Sequence, residues 1–289
     1  MSRSRRVGVL GVVAVVALGT WCAIPAVAQI PAGAQTLPID VTGATFAEFD
    51  DTTGVARMEG SPLVVTRGRT VIKAARARFD RRTQVLTADG AVEAAAEGVT
   101  IRADAIEYGL SDESIRANGS VRITSVGQGT PGPQPPTTLV APEVSGSLRT
   151  RRFVATGGVT IVRGEWTVRG RRADYDEGTK AAVITGDPEV RFGDGVMTAD
   201  TLTMFLDAET IRADGAVQMR RGEMTGRAKR ADISLKSQIA VFSGDARVDR
   251  GTSRLTADVI EATLDGQQVT ARGASRLVLT SPVPGTPPP

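Results

Sequence analysis

The segment Arg212-Ala-Asp-Gly-Ala-Val217 decides the fold, because closely related segments recur along the chain at a fixed spacing. The clearest copies are Thr87-Ala-Asp-Gly-Ala-Val92 and Arg116-Ala-Asn-Gly-Ser-Val121. With the weaker copies included, the glycines of these segments fall at positions 90, 119, 157, 186, 215, 244 and 273. Successive glycines are 29 positions apart (119 − 90 = 29), except for one interval of 38 (157 − 119 = 38). A regular period of this length is the sequence signature of a repeat protein.

The one longer interval contains an insertion. Residues 127–136 read Gly-Gln-Gly-Thr-Pro-Gly-Pro-Gln-Pro-Pro, a composition typical of a loop. We expect a repeat domain over 55–280, in which this loop separates two candidate sub-blocks at 55–126 and 137–280. A lead-in at 29–54 precedes the domain, and a Pro-rich tail at 281–289 is expected to be disordered.

A second landmark is the dipeptide Ala-Asp, which follows the preceding glycine at one of two spacings, 14 or 17 positions. Recurrence at the repeat spacing favours a structural role for these aspartates over catalysis or calcium binding. We expect each side chain to bond nearby backbone N–H groups at a turn or at the start of a strand. We expect the recurring glycines to occupy left-handed or bulge positions. The aspartates are Asp104, Asp174, Asp200, Asp232 and Asp258.

Each repeat predicts two β-strands. One strand follows the glycine, as in Val217-Gln-Met-Arg220, and the other follows the Ala-Asp pair, as in Thr201-Leu-Thr-Met-Phe-Leu206. Apolar residues alternate with polar ones in both, which indicates strands with one buried face. A unit of this size is too small to bury its own apolar face, so neighbouring units must stack. The prediction is an all-β, elongated structure of two-strand repeats.

The N-terminal segment predicts export from the cytoplasm. Arg3, Arg5 and Arg6 precede an apolar run, and Ala26-Val-Ala28 supplies a cleavage site for signal peptidase. We therefore expect a signal peptide at 1–28 and a periplasmic mature protein. The alternative is an uncleaved inner-membrane anchor, because 7–28 is about long enough to span a membrane.

The charge of the chain argues against nucleic-acid binding. The formal net charge is +3, and three arginines in the leader account for all of it, so the mature chain is neutral (3 − 3 = 0). No basic cluster interleaved with aromatic residues remains.

Several enzyme classes are disfavoured by composition. The chain has no histidine, and its one cysteine, Cys22, lies in the leader, so Ser-His-Asp triads and thiolate metal sites are excluded. We predict no catalytic residues, no metal site and no cofactor. A carbohydrate-active β-solenoid is a less favoured alternative, since aromatic residues make up only 4% of the chain and leave few platforms for sugars.

An apolar stripe follows the predicted strands and allows two interpretations. It is either the core of a closed structure or the lining of a groove between two sheets that do not fully close. The stripe consists of Ile106, Tyr108, Val159, Ile161, Leu202, Met204, Val217, Met219, Ile233, Leu235 and Ile260.

The phased motif resembles the OstA/LptA family. It is carried by Gly90-Ala-Val92, by Ile101-Arg-Ala-Asp-Ala-Ile-Glu-Tyr108 and by Ile115-Arg-Ala-Asn-Gly-Ser-Val-Arg-Ile123, and it recurs over about residues 55–280. Members of this family are periplasmic proteins of lipopolysaccharide export. The resemblance implies an elongated, open β-jellyroll of two facing sheets in a V.

The resemblance also implies a function. The partner would be lipopolysaccharide or a similar glycolipid, whose acyl chains the stripe would shield from water during transport to the outer membrane. Unpaired end strands would join LptC-like and LptD-like proteins by β-augmentation, and would allow head-to-tail self-association. The alternative from another class is a structural cell-surface β-solenoid with a closed core.

Overall fold

The computed structural model describes residues 39–96, 98–125, 136–206 and 208–279. The predicted leader and tail, and all but the last residue of the predicted insertion at 127–136, lie outside the described residues. Within the described residues there are strands and turns and no helix, so the predicted all-β class is confirmed. The strands are β1 (Asp40–Asp50), β2 (Val55–Arg67), β3 (Thr70–Asp80), β4 (Val85–Ala96), β5 (Val99–Gly109), β6 (Ser114–Ser125), β7 (Thr137–Ser147), β8 (Arg152–Arg163), β9 (Trp166–Asp176), β10 (Ala181–Thr185), β11 (Glu189–Phe192), β12 (Gly195–Thr198), β13 (Thr201–Phe205), β14 (Thr210–Arg221), β15 (Met224–Ser234), β16 (Ile239–Arg250), β17 (Ser253–Thr263), β18 (Val269–Arg272) and β19 (Arg276–Val278).

The strands belong to two compact units. The first unit runs to Gly164 and includes Asp174–Lys180, and the second comprises Glu165–Ala173 and the chain from Ala181 onward. In the first unit, β1 to β8 each pair antiparallel with the next strand in sequence. The strands that flank the insertion, β6 and β7, pair from Ser114↔Ser147 to Ser125↔Thr137. In the second unit, β13 to β17 pair in the same consecutive antiparallel way.

Each long strand is bent near its middle by a β-bulge. Between β14 and β15, Asp214 pairs with Arg230 and Val217 with Ala228, so β14 carries one extra residue at this point. One repeat earlier, at the position equivalent to this bulge, the bend interrupts the strand. β10 ends there at Thr185, and β11 begins at Glu189. A bulge turns the strand and increases its local twist. The two halves of a strand therefore lie in two different walls.

Within each unit taken by itself, we name the two walls by the turns that connect their strands. The short-turn wall ends in two-residue turns, such as those at Gly222 and Gly251, and the long-turn wall ends in four-residue turns, such as 81–84 and 235–238. The bulges form the corner between the walls, and the turns lie at their free margins. This arrangement is the two-walled jellyroll that the family resemblance implied.

The recurring glycines stand at the corner because no side chain fits there. Gly90 and Gly215 have φ values of 86° and 76°, a left-handed conformation that disfavours other residues. A Cβ on Gly90 would lie 2.6 Å from the Cβ of Ala75, and one on Gly215 would overlap the carboxylate of Asp200. In both cases the residue that faces the glycine precedes it by 15 positions in the sequence (90 − 75 = 15 and 215 − 200 = 15). The glycines recur every 29 residues because each repeat contributes one such contact to the corner.

One sequence prediction about this corner is wrong. In most repeats the glycines and the Ala-Asp pairs do not separate strands, because residues such as Gly90, Gly119 and Asp104 lie inside β4, β6 and β5. The strand is interrupted at this place only in the repeats around positions 186, 200 and 273 of the described chain. The two spacings of 14 and 17 correspond to two positions in the structure. Asp104, Asp200 and Asp258 occupy the corner opposite a glycine, whereas Arg171 and Lys229 hold that place in the other repeats. Asp174 and Asp232 therefore lie three residues beyond it, in the long-turn wall.

The aspartates consequently have different partners. Asp258 at the corner accepts a hydrogen bond of 2.9 Å from the backbone N–H of Ala274, as expected. Asp232 instead accepts from Arg212 on the neighbouring strand at 2.8 Å. In both arrangements the carboxylate forms a hydrogen bond between neighbouring parts of the sheet, which is a structural role.

Aspartates at the start of the long turns bond the turn backbone. Asp80 accepts from the N–H groups of Thr83 and Arg82 at 3.2 and 2.9 Å, and these bonds hold its pKa below the ordinary 3.8. The backbone N–H of Thr179, followed by the side chain of Arg152, likewise lowers the pKa of Asp176. A carboxylate that accepts backbone hydrogen bonds favours its charged form.

The corner generates a stability prediction. Gly215→Ala should lower the free energy of unfolding by about 2–4 kcal/mol, because left-handed strain adds to a clash with Asp200. Gly222→Ala is the matched control: its φ is 53° and a Cβ would meet nothing within 4 Å. It should lose only the strain, about 1 kcal/mol. Urea denaturation measures both. Equal losses for the two alanine variants would contradict the packing argument.

A double variant tests the contact with Asp200 directly. In the Asp200→Gly background, the loss of unfolding free energy caused by Gly215→Ala should come closer to that of Gly222→Ala.

The turn aspartates generate a pH prediction. Their folded-state pKa lies below the unfolded value, so their contribution is present above about pH 4 and is lost as the pH falls through the folded pKa. The double variant Asp80→Asn/Asp176→Asn keeps acceptor oxygens that do not titrate. Its melting temperature should therefore fall less steeply than that of the wild type between pH 5 and pH 2. Parallel curves would show that these turns do not carry the acid sensitivity.

Candidate functional site

An apolar cleft lies in the first unit between the short-turn and long-turn walls. Its volume is about 50 Å³, and its lining is almost entirely apolar. The cleft reaches the free margin of both walls, since it includes residues next to a short turn and residues of two long turns. The lining consists of Ile39, Val65, Arg67, Thr70, Ile72, Leu86, Ala94, Ile101, Ile106, Tyr108, Leu110, Ile115 and Leu148.

The bulges determine which side chains enter the cleft. In the short-turn half of β5, Val99, Ile101 and Ala103 are buried at every second position. The register shifts between Arg102 and Ala105, so the alternation changes phase and Ile106 is the next buried residue. Both halves of one strand therefore direct apolar side chains into the same space, one from each wall.

Arg67 is the charged residue of the cleft. It continues the inner-face alternation of Leu63 and Val65 at the end of β2. Its Nε atom is buried and has no hydrogen-bond partner. Leaving a buried donor without an acceptor costs about 1–3 kcal/mol. Among the described residues, no carboxylate forms an ion pair with this guanidinium.

Tyr108 faces Arg67 across the mouth of the cleft. Burial raises the pKa of the Tyr108 hydroxyl, and the positive charge of Arg67 acts in the opposite direction. The hydroxyl therefore stays protonated at neutral pH, and it places a polar group beside the guanidinium.

Buried hydroxyl groups follow the same margin of the short-turn wall. Thr70 pairs with Arg67, and Ser125 pairs with Thr137 four strands further on. In the part of the chain that the structure describes, these three are the buried polar side chains. The inner margin of the first unit thus carries polar groups, while the floor of the cleft is apolar.

The second unit is closed at the equivalent margin. Arg221, at the end of the short-turn wall, donates to the carbonyl oxygen of Leu264 in a long turn, and its Nε lies 2.6 Å from Asp194. Arg250 donates to the carbonyl oxygen of Gly266 at 3.4 Å. These hydrogen bonds join the two walls across the mouth. The interior behind them is filled by side chains that are fully buried, including Met197, Leu202, Ile233, Phe242 and Ile260.

The predicted stripe lies on the inner face in both units. Nine of its eleven residues are buried, and Tyr108 and Leu235 are half-buried. The structure brings Ile106 and Tyr108 together in the cleft. Val159 and Ile161 are in β8 of the first unit, outside the cleft lining, and the other seven belong to the second unit.

Sequence reasoning missed the mouth of the cleft. Leu110 and Leu148 were not predicted, because they lie in turns outside the alternating strand pattern. Arg67 was not predicted because it is charged, so a search for alternating apolar residues passes over it at the end of β2. A usable signal exists: the dipeptide Arg-Gly stands at a short turn at 67–68, 163–164, 221–222 and 250–251, which are whole repeats apart once the insertion is allowed for. Two further copies, at 169–170 and 272–273, fall at other positions of the repeat.

Exposed apolar side chains mark the terminal strands. Among the described strands β1 pairs only with β2, and Phe46 and Phe49 on it are about half exposed, at 50% and 52%. β19 pairs with β17, and Leu277 is 59% exposed. Such strand edges can pair with another chain.

The described residues lack both a metal-binding cluster and a membrane-spanning helix. They contain no cluster of acidic, histidine or cysteine side chains that could hold a metal ion. They also contain no helix long and apolar enough to cross a membrane.

Part of the chain matches the model of a known protein family. Residues 167–268 match the family described as LptA/(LptD N-terminal domain) LPS transport protein. The match lies in the second unit apart from Asp174–Lys180 and confirms the resemblance to the OstA/LptA family. No curated protein matches the chain.

A solved structure is also similar to this chain. It is the crystal structure of LptH, the LptA homologous periplasmic component of the conserved lipopolysaccharide transport device from Pseudomonas aeruginosa. The sequence identity is 20%, and the similarity covers 48% of this chain and 76% of that one, with a TM-score of 0.23.

Proposed function

We propose that this chain, whose residues 167–268 carry the LptA/LptD N-terminal domain pattern, is a periplasmic lipid carrier. In this proposal it shields the acyl chains of lipopolysaccharide, or of a related glycolipid, between its two walls on the way to the outer membrane. The observation that carries the proposal is the apolar cleft of the first unit, which reaches the free margin of both walls.

The physical need for such a carrier follows from solvation. Exposing one methylene group to water costs about 0.8 kcal/mol, so an acyl chain of a dozen carbons costs about 10 kcal/mol. A glycolipid with several chains therefore cannot cross an aqueous compartment unaided. A cleft between two walls covers the chains and leaves the sugars in water.

The size of the cleft sets a condition on binding. A volume of about 50 Å³ holds only a few water molecules and is smaller than an acyl chain. The walls must therefore move apart at their free margins when a chain enters. The corner is a pivot for this motion, because the strands of both walls continue through it.

Small and flexible side chains suit transport. The lining consists mainly of Ile, Leu, Val and Ala, and the second unit adds Met197, Met204, Met219 and Met224 to its interior. Such side chains adapt to different chain positions, whereas a pocket shaped for one ligand would hold it.

The terminal strands support a second part of the proposal. β1 and β19 would add strands from LptC-like and LptD-like proteins, or from further copies of this chain. Main-chain hydrogen bonds would supply affinity, and Phe46, Phe49 and Leu277 would supply apolar contacts.

A structural β-solenoid is the second candidate, because the interior of the second unit is closed by Arg221 and fully packed. A protein of this kind binds no lipid in either unit, so lipid binding separates the two functions.

The cleft generates a binding prediction. Leu148→Glu places a charge in a half-buried turn position of the cleft, and should weaken the binding of lipopolysaccharide about tenfold by removing contact with roughly two methylenes. Leu235→Glu is the matched control, at the equivalent position three repeats later (148 + 3 × 29 = 235) and outside the cleft. Displacement of a fluorescent acyl probe from the purified protein measures both.

The outcomes of this test are distinct. A wild-type protein that takes up neither the probe nor lipopolysaccharide would contradict the carrier function and leave the structural β-solenoid. Equal losses in the two variants would place the binding surface along both units rather than in the cleft.

The terminal strands generate an assembly prediction. Phe46→Lys/Phe49→Lys should reduce concentration-dependent self-association in sedimentation velocity, because charges on an edge strand oppose pairing with another chain. Val162→Lys is the control, since Val162 is exposed in β8 away from the chain ends. A wild-type protein that stays monomeric at all concentrations would exclude head-to-tail self-association.

A further inference from the structure

Arginines recur at one position of the repeat, immediately before the glycine of a short turn. They are Arg67, Arg163, Arg221 and Arg250, and each is placed at the free margin of the short-turn wall. The spacing between Arg67 and Arg221 is five periods plus the insertion (5 × 29 + 9 = 154). These residues are therefore structurally equivalent.

Two of these arginines have a backbone carbonyl oxygen of the opposite wall as their acceptor. Arg221 donates to Leu264, which lies 43 residues later, and Arg250 donates to Gly266. At this position a guanidinium thus reaches across the mouth to an oxygen atom.

Arg67 lacks this acceptor. The residue at the same offset (67 + 43 = 110) is Leu110, which lines the cleft. Among the described residues, the Arg67 guanidinium forms no hydrogen bond with the Leu110 carbonyl oxygen. The Nε of Arg67 is buried without a partner, and the cleft lies open beneath it. The first unit is open at the margin where this hydrogen bond is missing.

We propose that Arg67 anchors the anionic group of the bound amphiphile, a phosphate or a carboxylate attached to an acyl chain. The chain occupies the cleft, and an oxygen of the anionic group accepts from Nε at the mouth, beside the Tyr108 hydroxyl. A guanidinium pairs with carboxylate and phosphate in this way through charge-assisted hydrogen bonds. This inference rests on the proposed carrier function and adds the chemical class of ligand that the cleft prefers.

The test compares amphiphiles that share one chain. Dodecyl phosphate and dodecyl maltoside are titrated below their critical micelle concentrations into the full protein, with inorganic phosphate as the ligand that has no chain. The variants are Arg67→Met and Arg122→Met. Arg122 is exposed on the outer face of β6 in the same unit, so its loss changes the net charge equally. Arg67→Met removes a buried unsatisfied donor together with a hydrogen bond to the Tyr108 hydroxyl, and these two losses oppose each other, so it should melt close to the wild type.

The expected result is selectivity that depends on Arg67. Wild type and Arg122→Met should bind dodecyl phosphate roughly tenfold or more tightly than dodecyl maltoside, the difference that one charge-assisted hydrogen bond produces. Arg67→Met should bind both alike, with the maltoside affinity unchanged.

Three results would overturn the inference. Unchanged selectivity in Arg67→Met would assign anion recognition to another group. Equal binding of both amphiphiles by the wild type would exclude an anionic preference, while leaving the carrier function intact. Inorganic phosphate binding as tightly as dodecyl phosphate would identify a free-phosphate site. Failure of both amphiphiles to bind would instead contradict the carrier function itself.

Discussion

The fold depends on one steric constraint, the close approach of two neighbouring strands where they bend at the glycine of each repeat. At Gly90 the Cβ of Ala75 approaches so closely that only a hydrogen atom fits between the strands. At Gly215 the side chain of Asp200 takes that place. Because the same contact recurs once in every repeat, the bends stack into a continuous corner within each unit. A flat sheet of the same strands would leave one apolar face in water, whereas the bent sheet encloses it.

The corner leaves the opposite side of the structure to be closed by other means. The free margins of the walls end in turns, which carry no main-chain ladder from one wall to the other. In the second unit, guanidinium groups supply that connection, since Arg221 and Arg250 reach carbonyl oxygens of a long turn. In the first unit, Arg67 makes no such bond, and the cleft is found there. The unit that has these hydrogen bonds at its mouth has a filled interior, and the unit that lacks the equivalent bond has the cleft.

The proposed carrier function needs both a stable fold and an interior that can change shape, and the two-walled arrangement is compatible with both. Main-chain hydrogen bonds along the strands hold each wall together whatever its distance from the other wall. The apolar contacts between walls are non-directional, so an acyl chain can replace them with little loss. Outer-face pairs such as Arg230–Asp214, 2.6 Å apart, lie across neighbouring strands of one wall and do not join the walls. Opening of the mouth is therefore not opposed by these ion pairs.

The sequence by itself determined the repeat, its all-β class and the inner face. Glycine spacing reports the corner directly, because no other residue is tolerated there, and period-two alternation reports burial, so Ile106, Val217 and Ile233 were predicted as inward-facing. Only the tertiary structure decided where the bends fall and where the interior is open. Asp174 and Asp232 share the Ala-Asp motif with Asp104, yet they lie three residues beyond the corner, in the long-turn wall. Arg67 and Arg221 occupy one repeat position, yet only Arg221 meets a carbonyl oxygen. That difference depends on the distance between two walls, which no local pattern in the sequence encodes.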